Sequence, residues 1–211
     1  MVNTAALTGV NGLQEIRRSP ASHLAAALEA GSVPGKVVLR EGPFQTMAGV
    51  RVDPRSEEGT RIASVTGGLP VRCGEVAGTE RVSVLWLGPS EFLVVAPEEA
   101  HDSLGGDLIG SLTAALGDAP GQVVDLSANR TTFELSGPRA RAVLEKGCAL
   151  DLHPRSFTPG TALTTEVGNI PVTLLKTGEE SYRLFPRASF ADFLGRWLLD
   201  GMREFASPEV P

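Results

Sequence analysis

The stretch VVDLSANRTTFELSGPRARAVLEKGCALDLH, residues 123–153, carries the clearest fold signal in the chain. Residues 123–126 form a short, mainly apolar run, and residues 131–135 place alternate side chains on opposite faces, as in a half-buried strand. The small and polar residues between them, 127–130, can turn the chain. The stretch therefore predicts a strand, a tight turn and a second strand.

A short helix is predicted directly after the second strand. Ser136 is a suitable N-cap, and Pro138 fits the first turn, where its missing N–H costs nothing. Gly147 can adopt the left-handed conformation that ends a helix. The apolar side chains between these signals share one helical face: Ala140, Val143 and Leu144. These patterns agree on the fold of the segment, but they name no reaction.

The composition is that of an ordinary globular protein. The chain has 211 residues, enough for one larger domain or two small lobes, and its formal net charge of −6 comes without a long basic run. Nucleic acid and an anionic membrane are therefore poor candidates as partners. Cys73 and Cys148 lie far apart and outside any CxxC pattern, which favours a reducing cytosol over a structural disulfide.

The location expected from the sequence is the cytoplasm. The first residues lack a basic lead followed by an apolar core, so they do not resemble a targeting segment. No run approaches the ~20 apolar residues that are needed to span a bilayer.

We expect two lobes with short additions at both ends. Residues 1–18 are weakly patterned and are interpreted as an N-terminal arm, and residues 206–211 as a C-terminal tail. The segment GDAPG, residues 117–121, is the best candidate boundary between a first lobe at 19–117 and a second lobe at 122–205.

Each lobe is expected to combine strands with helices. In the first lobe we predict a helix from Ser19-Pro20 to Gly31, strands at 36–40 and 47–52, a polar loop at 53–60, irregular turns at 65–78 with a short strand near Val71, a hairpin at 82–96 and a helix from Pro97 to Leu116. In the second we predict strands at 161–167, 170–176 and 182–185 before a last helix with apolar positions at Phe190, Phe193, Leu194, Trp197 and Leu198.

The two lobes repeat one pattern. With Gly88 placed over Gly178, an offset of 90 residues, apolar positions match without a gap. The matched pairs are Val82 with Val172, Val84 with Leu174, Leu85 with Leu175, Phe92 with Tyr182, Val94 with Leu184, Leu104 with Leu194, Leu108 with Leu198 and Leu112 with Met202. The repeat predicts an α+β fold of two pseudo-repeated lobes, each a mostly antiparallel sheet with helices on one face.

The residues that could carry chemistry are few and scattered. His23, His101 and His153 have no metal-ligand spacing and are interpreted as surface or structural histidines. The chain contains no nucleophile elbow, no phosphate-binding loop and no dinucleotide fingerprint. We therefore assign no catalytic, cofactor-binding or metal-binding residue. The aromatic residues Trp86, Phe92 and Trp197 are expected in the core or at a subunit contact rather than in a stacking pocket.

The turn at residues 125–130 allows two readings. Asp125 ends a strand and could be a catalytic carboxylate, but Asp125 or Ser127 could instead accept hydrogen bonds from backbone donors of the turn, which we favour. Asn129 and Arg130 are the candidate subunit contact, because the planar, multi-donor guanidinium suits interfaces.

Three blocks of the sequence resemble one family. They are VVDLSANRTTFELSGPRARAVLEKGCALDLHPRSFTPGTA, LWLGPSEFLVVAP and YRLFPRASFADFLGRWLLDGM. They look like the typical blocks of the gamma subunit of heterotetrameric sarcosine oxidase, and the likeness covers residues 85–202 well and the N-terminal third loosely.

The resemblance implies a subunit of an enzyme that oxidatively demethylates sarcosine to glycine. Hydrogen peroxide forms, and the one-carbon unit leaves as formaldehyde or as 5,10-methylenetetrahydrofolate. FAD, FMN, NAD, zinc and tetrahydrofolate are implied in the partner subunits alpha, beta and delta, with none in this chain. The gamma chain is implied to be a non-catalytic accessory that packs on the alpha subunit.

That family is similar in fold to the aminomethyltransferase (T-protein) of glycine cleavage, whose pattern Asp125, Ser127, Gly137 and Pro138 match. The transferases carry an acidic pair after a glycine where this chain has GNIPV from Gly168, and Asn and Ala where it has Pro186-Arg187. Without a carboxylate there, acid–base or electrostatic help for one-carbon transfer is hard to arrange. The alternatives left open are a stand-alone folate-dependent one-carbon transferase and a small-molecule binding module.

Overall fold

The computed structural model describes residues 17–206. The predicted arm at 1–18 and tail at 206–211 fall outside this range except for Arg17, Arg18 and Ala206. In chain order the described helices and strands are α1 Ala25–Gly31, β1 Val38–Glu41, β2 Thr46–Arg51, α2 Glu57–Thr66, β3 Val76–Gly78, β4 Ser83–Gly88, β5 Glu91–Ala96, α3 Leu108–Leu116, β6 Gln122–Asp125, β7 Phe133–Ser136, α4 Ala140–Glu145, β8 Ala162–Val167, β9 Ile170–Gly178, β10 Ser181–Pro186 and α5 Ala191–Ala206.

The strands form two antiparallel sheets of five strands each. Sheet A has the order β3-β4-β5-β2-β6, and sheet B has the order β8-β9-β10-β7-β1. The two orders correspond position by position, with β1 at the edge of sheet B that β6 occupies in sheet A. The predicted α+β fold of two pseudo-repeated lobes is confirmed.

In the central part of the repeat, the two lobes match residue by residue. Strands β5 and β10 begin and end at the same offset of 90 residues, as do the 3-10 turns Glu98–Ala100 and Ala188–Phe190. In each hairpin the register shifts at the turn, where Gly88 pairs with Glu91 and Gly178 with Ser181. The same apolar spacing thus produces the same hairpin and the same entry into a helix.

Strand pairing crosses the predicted lobe boundary at 117–121. The boundary itself stays a prediction. Strand β1 precedes this boundary yet pairs with β7 in sheet B, whereas β6 follows it and pairs with β2 in sheet A. Sheet A is therefore built from the continuous chain between β2 and β6, and sheet B needs the N-terminal strand as its edge. Periodicity indicates that a strand exists but not which strand it pairs with.

The core has three layers of apolar contact. One packs sheet B against α1, α4 and α5, and another packs sheet A against α2 and α3. The third lies between the two sheets and contains Met47, Leu85, Leu93, Val95, Ala162, Leu175 and Phe185. Neighbouring residues such as Leu174 and Leu175 belong to different layers because successive side chains of a strand point to opposite faces. The sheets thus face each other, and the helices cover their outer faces.

Two predictions in the first lobe are wrong. The polar loop at 53–60 contains the start of α2, whose N-cap Ser56 accepts a hydrogen bond from Gly59 N at 3.0 Å. The single helix expected from Pro97 is instead two 3-10 turns followed by α3, because Gly105 takes a φ of 87° and ends the second turn. The short strand predicted near Val71 begins five residues later, as β3, and Val71 itself lies outside any strand.

The connections predicted within the stretch 123–153 are also wrong. Strands β6 and β7 exist as predicted, but they belong to different sheets, so the segment between them crosses from sheet A to sheet B and is not a hairpin turn. Helix α4 begins after Arg139, without a side-chain cap, and not after Ser136. Gly147 does not adopt a positive φ.

The indole of Trp197 packs so closely on two glycines that neither position has room for a Cβ. A Cβ built on Gly147 would lie 2.6 Å from the Trp197 ring, and one on Gly168 would lie 2.9 Å from it. Gly168 and Asn169 form the two-residue turn between β8 and β9, with φ values of 59° and 65°. This pair of positive φ values is typical of a tight hairpin turn, so the turn and the indole are packed as one unit.

We expect the substitution Gly168→Ala to destabilise the chain more than Gly160→Ala. Both glycines have a positive φ, but nothing lies within 4 Å of a Cβ at Gly160. The strain should cost about 1–2 kcal/mol at either site, and overpacking against Trp197 should add about 1–3 kcal/mol at Gly168. Urea unfolding of the two variants measures the difference. Equal losses would contradict this packing role of Trp197.

Candidate functional site

The segment that connects the sheets, residues 125–131, lies where they meet and is called the crossover. At its start, Leu126 N donates to Met47 O of β2 at 2.8 Å. At its end, Thr131 N donates to Pro186 O of β10 at 3.3 Å, and Ala188 N donates to Asn129 O at 2.8 Å. The crossover is therefore bonded to both sheets.

Asp125 shapes the start of the crossover. Its Oδ1 accepts from Ser127 N at 2.9 Å, while Ser127 Oγ accepts from Met47 N at 3.0 Å. Partial burial opposes the ionisation of Asp125, but hydrogen bonds from Ser127 and His101 outweigh it and hold the pKa of the carboxyl below its usual value. Asp125 thus makes the turn hydrogen bond that the favoured interpretation predicted, and the absence of a catalytic role stays a prediction.

His101 links Asp125 to a serine. The Ser103 N–H donates to His101 Nδ1 at 3.1 Å, so Nε2 carries the proton that is donated to Asp125 Oδ2 at 2.9 Å. Ser103 Oγ donates to the same Nδ1 at 2.7 Å. His153 Nδ1 accepts from Arg155 N in the same way, two residues along the chain. The His101 side chain thereby caps the 3-10 turn Asp102–Leu104, and the assignment of no catalytic role to His101 stays a prediction.

Arg130 projects from the crossover and is only partly satisfied. Its Nη1 donates to Phe185 O at 2.8 Å, whereas its Nε is buried and finds no acceptor within residues 17–206. Burial lowers the pKa of the guanidinium, the nearby Arg187 lowers it further, and Glu91 opposes both. Asn129, beside it, is exposed. The assignment of Asn129 and Arg130 to a subunit contact stays a prediction.

A cleft of about 440 Å³ opens beside the crossover. We call it the crossover cleft; it is lined by Arg17, Arg18, Pro20, Phe44, His101, Ser103, Asp125, Ser127, Ala128, Arg130 and Thr131. Phe44 has a positive φ of 58°, and the Arg17 guanidinium lies 4.2 Å from the centre of its ring. The lining thus holds three arginines against a single carboxylate.

A buried lysine was missed by the sequence reasoning. Lys176 is fully buried, and its Nζ donates to Phe157 O at 2.9 Å and lies 5.9 Å from the centre of the Tyr182 ring. Burial raises the pKa of the Tyr182 hydroxyl. Lysine is rarely found in a core, and its place in an otherwise apolar strand run gave no sign of this environment.

The remaining candidates lie apart from the cleft. Cys73 and Cys148 are free cysteines, and Phe92 belongs to the core of sheet A while Trp197 packs on the core of sheet B. Between residues 17 and 206, no group of three or more His, Cys, Asp or Glu side chains is arranged to hold a metal ion. None of the helices in the same span is long and apolar enough to cross a membrane.

Comparison with known proteins decides the family. The model of the "Sarcosine oxidase, gamma subunit family" matches residues 56–204. The chain belongs to this family. "Sarcosine oxidase subunit gamma" of Arthrobacter sp is 53% identical over 197 residues, covering 92% of this chain and 94% of that protein, and the subunit of the same name from Corynebacterium sp. (strain P-1) gives the same values.

Solved structures place the gamma subunit family within a wider fold. A chain of the heterotetrameric sarcosine oxidase from Corynebacterium sp. U-96, solved with pyrrole 2-carboxylate, matches with a TM-score of 0.87 and 50% identity, over 93% of this chain and 100% of that chain. Aminomethyltransferase T of Bartonella henselae matches with a TM-score of 0.58 and 16% identity, over 83% of this chain and 48% of that chain. The second likeness shows the fold alone, and it confirms the similarity to the T-protein fold.

We expect Asp125→Asn to lower stability in a pH-dependent way. A carboxyl whose pKa is lower in the folded chain stabilises the fold above its unfolded pKa, and this contribution is lost as the pH falls through the folded pKa. Because 44% of the side chain is exposed, solvent screening limits the loss to about 0.5–1 kcal/mol.

Urea unfolding at about pH 5.5 and about pH 3 measures the loss, which should be full at the higher pH and smaller at the lower, because pH 3 lies below the usual aspartate pKa of about 3.9 while the contribution disappears only below the folded pKa. The control is Asp118→Asn, which changes an exposed carboxylate elsewhere on the surface. A difference between wild type and Asp125→Asn that is the same at both pH values would contradict this account.

Proposed function

We propose that the chain is the accessory gamma subunit of a heterotetrameric sarcosine oxidase. That enzyme demethylates sarcosine oxidatively to glycine, with hydrogen peroxide and either formaldehyde or 5,10-methylenetetrahydrofolate as the other products. The observation that carries the proposal is the likeness to gamma subunits at 53% identity over almost the whole length of both chains.

The contribution of this chain is structural: it packs on the alpha subunit in a complex that also contains beta and delta. FAD, FMN, NAD, zinc and tetrahydrofolate belong to the partner subunits. This division of labour is supported by the turn at Gly168 and Asn169, which presents backbone and an amide where the transferases have acidic residues. It is also supported by Asp125 and His101, which are occupied in shaping the crossover and its neighbouring turn.

A cytoplasmic location is part of the same proposal. The two cysteines are unpaired, and an unpaired exposed thiol such as Cys73 fits a reducing compartment better than an oxidising one.

The structural role predicts that the partner subunits assemble less well without this chain. Alpha, beta and delta are co-expressed with and without it, and the yield, flavin absorbance and melting temperature of the purified complex are compared. We expect lower yield and a lower melting temperature when the chain is omitted, because the surface that it covers is then left in water. Full assembly, activity and stability in its absence would refute the role.

A stand-alone folate-dependent one-carbon transferase is the second candidate, and the T-protein fold is the observation that favours it. Fold alone is weak support, because one fold serves many chemistries. Titration of the isolated chain with tetrahydrofolate separates the two functions. The accessory role predicts no saturable binding at micromolar concentrations, whereas saturable binding in that range would favour the transferase.

A further inference from the structure

The guanidinium of Arg130 is only partly hydrogen-bonded within residues 17–206. A guanidinium has five N–H donors and no acceptor. The Nη1 side of Arg130 is used by Phe185 O, and the opposite edge, formed by Nε and Nη2, includes the buried Nε without an acceptor. Because Nε is closed to solvent, Nη2 is the free donor of that edge that a carboxylate from outside can reach.

The carboxylates around Arg130 are already engaged. Glu91, whose charge acts on Arg130, pairs with Arg51 at 3.1 Å. Asp125, across the crossover cleft, accepts from His101 and Ser127. Residues 17–206 thus supply no free anion to a guanidinium that burial has partly stripped of water. A buried charge of this kind is stable only when it is paired and hydrogen-bonded.

The surroundings add positive charge. Arg187 lies close enough to depress the pKa of Arg130, and its own side chain is exposed. Arg18 is exposed in the lining of the crossover cleft. Arg17, in the same lining, is paired with Glu98. The potential in the cleft therefore favours a negative group that enters from outside the chain.

Arg130 also borders an apolar surface. A second cavity, of about 300 Å³, shares Arg130 with the crossover cleft and is lined by apolar residues such as Leu87, Val124 and Leu126 and by the Arg51–Glu91 ion pair. Val124 is 37% exposed, one of the few large apolar side chains of the described chain that is open to solvent. A half-buried arginine between an apolar patch and a polar cleft is the arrangement found at the energetic centre of protein interfaces.

We propose that the crossover cleft receives the carboxylate of an acidic side chain from a partner subunit, which binds the guanidinium of Arg130 through the free Nη2 donor. Apolar contacts on Val124 and Leu126, in the second cavity that Arg130 also lines, lie beside this ion pair, and Arg18 strengthens the attraction. The proposal rests on the accessory-subunit function and names the contact surface and its chemistry. A partner side chain is favoured over a free carboxylate because the apolar patch adjoins the arginine.

The test measures binding of the purified chain to the complex of the partner subunits prepared without it. Arg130→Gln should raise the Kd at least about tenfold and weaken its salt dependence, since charge-assisted hydrogen bonds are lost. Arg130→Lys should fall between wild type and Arg130→Gln, because lysine keeps the charge but not the fork. Arg203→Gln is the matched control; that arginine lies on α5 away from the cleft and is 82% exposed.

A second variant keeps the test independent of folding. Ala128 is exposed in the lining of the cleft, so Ala128→Glu should place a carboxylate beside Arg130 within the chain itself. We expect a higher melting temperature for the isolated variant together with weaker binding to the partner subunits. A merely structural role of Arg130 would not give these opposite changes.

The outcomes separate the two proposals. If the wild-type chain does not bind the partner subunits, the accessory function fails. If it binds and Arg130→Gln binds with the same Kd and the same salt dependence, only the ion-pair proposal fails. Saturable, Arg130-dependent binding of succinate to the fully assembled complex would mean that the cleft stays open to free carboxylates, and it would also overturn the proposal.

Discussion

Face-to-face packing of the two sheets is the constraint on which the rest of the structure depends. Met47, Leu93, Leu175 and Phe185 belong to the apolar layer that holds the sheets together. Because the sheets are fixed in this way, the chain must cross between them at residues 125–131, and the backbone of β10 comes within reach of the Arg130 guanidinium. The cleft, the capped Asp125 and the partly satisfied arginine all follow from that crossing.

Duplication of the fold has not kept the two inner surfaces alike. On sheet B, Glu134 lies in register between Arg40 and Arg183 and accepts from both, so this part of the surface is charged but internally neutralised. Leu93 holds the position in sheet A that Arg183 holds in sheet B, and exposed Val124 lies in the same row. In sheet A, Leu93 is buried between the sheets, and the exposed end of this row is the apolar Val124, which lines the second cavity together with Arg130.

Local patterns predicted most of the fold, and long-range contacts account for what they missed. The β4–β5 and β9–β10 hairpins and helix α5 follow from periodicity and from short turns, and their repetition predicted the two sheets. Helix α2 was missed because its first turn is polar and only a few of its side chains, such as Ile62, are buried. Arg130 was selected for its chemistry, but its unpaired Nε depends on β10, more than fifty residues away. The pairing of β1 with β7 has the same origin, since no local signal specifies a distant partner.

The most direct test of this account compares amide hydrogen exchange in the free chain and in the assembled complex. Slow exchange reports where docking covers the backbone or suppresses local opening. We predict that assembly slows exchange in residues 17–20 and 125–131, the two segments beside the crossover cleft, more than in the last turn of α5, where Arg203 and Glu204 are exposed. Unchanged exchange in the crossover, with protection confined to other surfaces, would contradict the claim that the crossover is the docking site.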